Sequence, residues 1–219
     1  MSIKSLVITL SAALLASGCV FGTTKQGAPV TGPTVNEQGF SLLTEAGIDE
    51  IIRTKRGRFD LRSGDLSKAA VGLENSDKEP MIGRPGGEEV TFTFLGPAAE
   101  ETLITDSITF TTSNITNSVD NIVWFSAPAN MDAAHAELRS GIYRWGFRPQ
   151  DVERWINDSA KHETDKSTLG MGVGLAGLVV EVTARKKNGN EIYQYSIYLG
   201  GDYYTPKVQE TIHATGKSH

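Results

Sequence analysis

The 219-residue chain holds one cysteine, Cys19. No disulfide can form within it, so the fold must be held by a packed apolar core. The neighbours of that cysteine indicate where the core can begin. Lys4 precedes an apolar run from Leu6 to Leu15, and the small residues Ala16-Ser17-Gly18 follow. A basic start, a short apolar centre and small residues before a cut site describe a secretory signal peptide. The apolar run is about ten residues, and a helix needs roughly twenty to cross a bilayer. Residues 1–18 are therefore expected to be removed rather than to remain as a membrane span.

The stretch Leu15-Ala16-Ser17-Gly18-Cys19 resembles the lipobox of bacterial lipoproteins. The resemblance implies cleavage between Gly18 and Cys19, a diacylglycerol on the Cys19 sulfur and acylation, such as palmitate, on the freed amine. Each buried CH2 contributes about 0.8 kcal/mol, so two or more chains hold a protein at a bilayer essentially permanently. Val20 stands where an aspartate would imply retention in the inner membrane. The resemblance thus implies an envelope location, at the outer membrane facing the periplasm if the source is Gram-negative.

Removal of the signal leaves about 200 residues, the size of one large domain or two small ones. The net charge of −5 becomes one unit more negative when Lys4 leaves. An acidic surface repels phosphate backbones, which argues against a nucleic-acid partner. Residues 19–39 are rich in Gly, Thr, Pro, Gln and Asn and read as a flexible tether, leaving 40–219 as one folded domain.

Within that domain, Ile48, Ile51 and Ile52 are spaced for one face of a short helix over 45–55, followed by the basic cluster Arg53, Lys55, Arg56 and Arg58. Cations favour a helix C-terminus, so the cluster is expected to be solvated there. Residues 63–87 read as a long irregular surface segment. Strand patterns follow at Val90-Phe92-Phe94, at 104–112 and at 121–126, most simply connected as a meander. Asp132 is placed to cap a helix whose stripe is Ala134, Leu138, Ile142 and Trp145. Pro149 is placed to start a second, with Val152, Trp155 and Ile156 on its apolar face. Runs at 178–185 and 192–199 flank Asn188-Gly189, the pairing a tight hairpin needs. The expected class is α+β: an antiparallel sheet of about five to seven strands with a two-helix hairpin packed on one face.

Chemical motifs are sparse. Gly172-Val173-Gly174-Leu175-Ala176-Gly177 matches the dinucleotide-binding glycine pattern, but a β-branched run follows it where a helix should begin. Close backbone approach is the expected use of these glycines. His135-Ala136-Glu137 matches half of a zinc-deaminase signature and lacks the paired cysteines of the other half. Neither a catalytic residue, nor a metal set, nor a cofactor motif is found. The paired acids Glu88-Glu89 and Glu100-Glu101 read as surface residues. Trp124-Phe125 and Tyr203-Tyr204 place adjacent rings on opposite sides of an extended chain, and the outward ring of each pair is a candidate binding surface. The leading expectation is a noncatalytic, lipid-anchored module that binds an envelope protein, as an assembly factor, accessory subunit or immunity-type inhibitor. The alternatives are a lipid-anchored hydrolase of wall polymer or sugar, and a carrier of a small lipophilic ligand.

Overall fold

A computed structural model describes residues 31–74, 76–158, 166–187 and 189–216. The signal segment, Gly18, Cys19 and the first part of the expected tether lie outside the described residues. The described elements run α1 (Glu45–Thr54), β1 (Arg56–Asp60), a 3-10 turn (Ala69–Val71), β2 (Met81–Gly83), β3 (Val90–Leu95), β4 (Glu100–Thr105), β5 (Ser107–Ser113) and β6 (Ser118–Ser126). They continue α2 (Met131–Arg144), α3 (Pro149–Asp158), β7 (Lys166–Val173), β8 (Val179–Lys187), β9 (Asn190–Tyr198) and α4 (Pro206–Gly216). Among the described residues no helix is long and apolar enough to cross a membrane.

The class is α+β, built on two antiparallel-dominated sheets. Six strands pair in the order β2-β5-β6-β9-β8-β7, and three more in the order β1-β3-β4. The smaller sheet contains the one parallel pairing among the described strands, β1 with β3. Alternation explains why these segments are strands. In β3, Val90, Phe92 and Phe94 are buried while Thr91 and Thr93 are not. In the larger sheet, register puts Ile122 opposite Ile197 and Phe110, and Trp124 opposite Tyr195 and Ile108. All six belong to one buried cluster, so they define the core face of that sheet. The sheets meet through this cluster, with the Phe59 and Phe110 rings 4.8 Å apart between centroids. Fully burying a side chain of this size contributes about 1.5–3 kcal/mol. A smaller cluster of Val179, Tyr204 and Ile212 lies where α4 covers the back of β8.

Four expectations are corrected. The run at 104–112 is two strands in different sheets, divided at Asp106, whose carboxylate accepts from Gly86 N at 2.6 Å and from Ser107 Oγ at 3.0 Å. Those bonds fix a corner, and the strands therefore do not form one meander. Residues 63–87 are not merely a surface segment, because Leu66, Val71, Leu73 and Ile82 enter the core. Lys68 is buried as well, with its ammonium on Ser76 O and Asn114 Oδ1. Asn130, not Asp132, caps α2 by accepting from Ala133 N at 2.9 Å. Ile52 is exposed, whereas Ile51 is buried and Ile48 packs against the core.

The glycine motif is the turn between β7 and β8. Gly174 N donates to Leu178 O, Gly177 N donates to Gly174 O, and Gly177 takes a left-handed φ of 77°. A Cβ on Gly172 would lie 2.3 Å from Trp145 O, so the close-approach reading holds at that position.

Candidate functional site

A groove of about 420 Å³ opens where β4, the end of β6 and α2 converge. Its floor is aromatic. Trp124 stacks on Tyr195 with centroids 5.1 Å apart and 10° between planes, and tilts against Trp145 at 5.8 Å. These rings come from β6, β9 and the end of α2, so the core face of the sheet itself forms the floor. Two apolar side chains stand out of the groove's wall, Ile104 at 59% exposure and Phe125 at 52%. Alternation turns both away from the core, Ile104 opposite to buried Leu103 and Phe125 opposite to buried Trp124.

Polar groups brace the floor. Glu137 accepts from Tyr195 Oη at 2.7 Å through one carboxylate oxygen and from Ser126 Oγ at 2.8 Å through the other. Burial, then the Glu137 charge, pushes the Tyr195 phenol well above its ordinary value. Arg144 donates twice to Glu101 Oε1, at 2.7 and 3.1 Å, and once to Thr102 O at 2.6 Å, while lying 4.5 Å over the Trp145 ring. Glu137, Ser140 and Arg144 reach the groove together because spacings of three and four share one helix face. Glu101, expected at the surface, has a largely buried side chain in this ion pair. The correction has a simple cause: β4 is the edge of its sheet, and α2 lies beside it.

Beneath α2 lies a second, largely buried cluster. Tyr193 Oη donates to Glu191, whose other oxygen lies 3.9 Å from His135 Nε2. His135 therefore faces a carboxylate rather than a metal set. Among the described residues no group of three His, Cys, Asp or Glu is placed to hold a metal ion.

The outward-ring expectation is met in part. Trp124 is buried and Phe125 is exposed; Tyr204 is buried under α4 and Tyr203 is half-buried. The two pairs do not share one surface, however. Phe125 lines the groove at the end of β6, while Tyr203 lines a different groove at its beginning. Sequence reading missed Tyr195, Arg144, Trp145 and Ile104. The spacing of Glu137, Ser140 and Arg144 was the one local signal available. Two of the four residues of the basic cluster form surface ion pairs, Arg53 with Glu50 at 2.6 Å and Lys55 with Glu88 at 2.7 Å, and Arg53, Arg56 and Arg58 are exposed.

The fold and groove together define an α+β domain of two packed sheets with a recess at their junction. No protein-family model, curated protein or solved structure matches the chain.

Proposed function

We propose that the chain is a lipid-anchored envelope protein whose domain binds another polypeptide in the groove between β4, β6 and α2. One observation carries the reading: two large apolar side chains, Ile104 and Phe125, are exposed at the rim of a groove whose floor is the Trp124, Trp145 and Tyr195 rings. Aromatic anchors surrounded by polar groups are the usual energetic centre of a protein interface. β4 pairs with β3 on one side only, and Arg144 of α2 already donates to Thr102 O beside it, so the reading rests on the apolar rim and not on strand addition.

The groove is better suited to binding than to hydrolysis: of the acids lining it besides Glu137, Asp106 fixes the β4–β5 corner and Glu89 alone is left over. Both oxygens of Glu137 already accept from protein hydroxyls, and Glu101 is committed to Arg144. A glycosidase needs one acid free to give a proton and one free to attack or activate water. The anchor rests on the resemblance around Cys19, and any tether ends before Thr34, because Leu42 N donates to Thr34 O and Asn36 Nδ2 to Ala70 O.

Chemical crosslinking in the native envelope, followed by mass spectrometry, tests the proposal. One protein captured stoichiometrically from the parent, and lost with Phe125→Asp, is the expected result. With Cys19→Ser the chain should leave the membrane fraction. Capture of nothing, together with turnover of wall fragments by the purified protein, contradicts the binding reading.

A further inference from the structure

At the beginning of β6, on the back face of the larger sheet, lies a second groove of about 640 Å³. Register makes Asn121 and Tyr198 cross-strand partners there, and alternation turns both away from the core face that carries Trp124 and Tyr195. Tyr198 and Tyr203 stack with centroids 4.5 Å apart and 23° between planes. Both rings are half-buried, and stacking covers one face of each. Around them stand Asp65, Asp120 and Asp202, with no Lys or Arg in the lining. The Asp120 Oδ1 accepts long contacts from Thr116 and Ser118 hydroxyls at 3.4 and 3.3 Å, and none of these uses Oδ2. The shielded Asn121 side-chain oxygen has no hydrogen-bond partner among the described residues.

These features exclude as well as select. Three carboxylates and no cation repel phosphates, sulfates and acidic sugars. A purely apolar ligand would strip water from those acids without replacing their hydrogen bonds. What the groove lacks is a positive charge, and what it offers is carboxylates and hydroxyls beside a flat ring. The geometry points to a binding site for an amino sugar: the apolar C–H face of the pyranose lies on the tyrosine stack, its hydroxyls donate to Asp120, and its ammonium pairs with the aspartates. This site is separate from the polypeptide groove and independent of the anchor, since the two linings share no residue and lie at opposite ends of β6.

Calorimetric titration of the full chain in detergent micelles tests it, with three probes: the glucosamine trisaccharide, its fully N-acetylated form and trigalacturonate. The glucosamine trimer should bind, its N-acetylated form should bind more weakly, and the acidic sugar should give no heat. Tyr203→Ala should weaken binding roughly tenfold through loss of the stacking platform. Asp202→Asn, at an exposed position that folding does not need, should narrow the gap between the amine and its N-acetylated form. Silence with every sugar overturns the proposal. So does equal binding by Tyr203→Ala, a preference for trigalacturonate, or a groove that takes up calcium and ignores sugar.

Discussion

The two grooves sit at opposite ends of the same strand, β6, yet they are built from opposite kinds of surface. The groove at the strand's end has the core for its floor: Trp124, Trp145 and Tyr195 hold the sheet to α2 and at the same time face the recess. The groove at its beginning lies on the back face, where tyrosines and aspartates surround it and the core contributes little. Binding and folding are therefore tied together in the first and separable in the second. In the first groove it is the exposed rim, Ile104 and Phe125 included, that can be altered without disturbing the structure.

The largest effect that could break this contrast is expected at Gly172. A side chain there meets backbone at Trp145 and Gly146, neither of which can yield without moving the first groove's floor. Gly172→Val should cost more than about 4 kcal/mol, and the protein should fail to show a cooperative thermal transition. A folded Gly172→Val with normal unfolding would show that the floor is soft. Trp124→Ala comes next, with an expected loss of about 3–5 kcal/mol in urea unfolding. Tyr203→Ala, in the second groove, should lose less than about 1 kcal/mol by the same measurement. Similar losses at Trp124 and Tyr203 would erase the distinction.

Alkaline titration sharpens the comparison further. Burial, reinforced by Glu181, pushes the Tyr198 phenol up to about 12, and burial with Glu137 raises Tyr195 further above the ordinary range. A phenol whose folded value is raised contributes stability that is fully present below the unfolded value near 10 and is lost as pH rises through the folded value. Stability should accordingly fall above about pH 10. Tyr195→Phe should remove more of that fall than Tyr198→Phe, because Tyr195 is the more deeply enclosed. The reverse order in pH-dependent unfolding curves would place the rigid floor at the wrong end of β6. The smallest effect is expected for Arg139→Ala. Its ion pair with Glu153 at 2.8 Å is exposed on both sides, and the unfolding midpoint should not move measurably.

Much of the strand pattern was legible in the sequence, because a two-residue period needs only neighbours to reveal it. Val90, Phe92 and Phe94 announce β3, and Tyr193, Tyr195 and Ile197 announce the core face of β9. The division of strands between two sheets was not legible. It turns on Asp106, a single residue whose side chain fixes a corner through bonds to Gly86 and Ser107. The grooves were less legible still. Glu137 and Tyr195 are 58 residues apart in sequence, and nothing local to either shows that they meet. The aromatic pairs gave half of each groove: Phe125 for one and Tyr203 for the other. Nothing in the sequence shows that the two rings lie at opposite ends of β6.

Photo-crosslinking residue by residue tests the central claim most directly. A photoreactive amino acid is placed at Phe125 in one variant and at Tyr203 in another, and both are irradiated in the native envelope. The account predicts one discrete, stoichiometric protein adduct from position 125 and none from position 203. Adducts of the same protein from position 203, with position 125 silent, would contradict it.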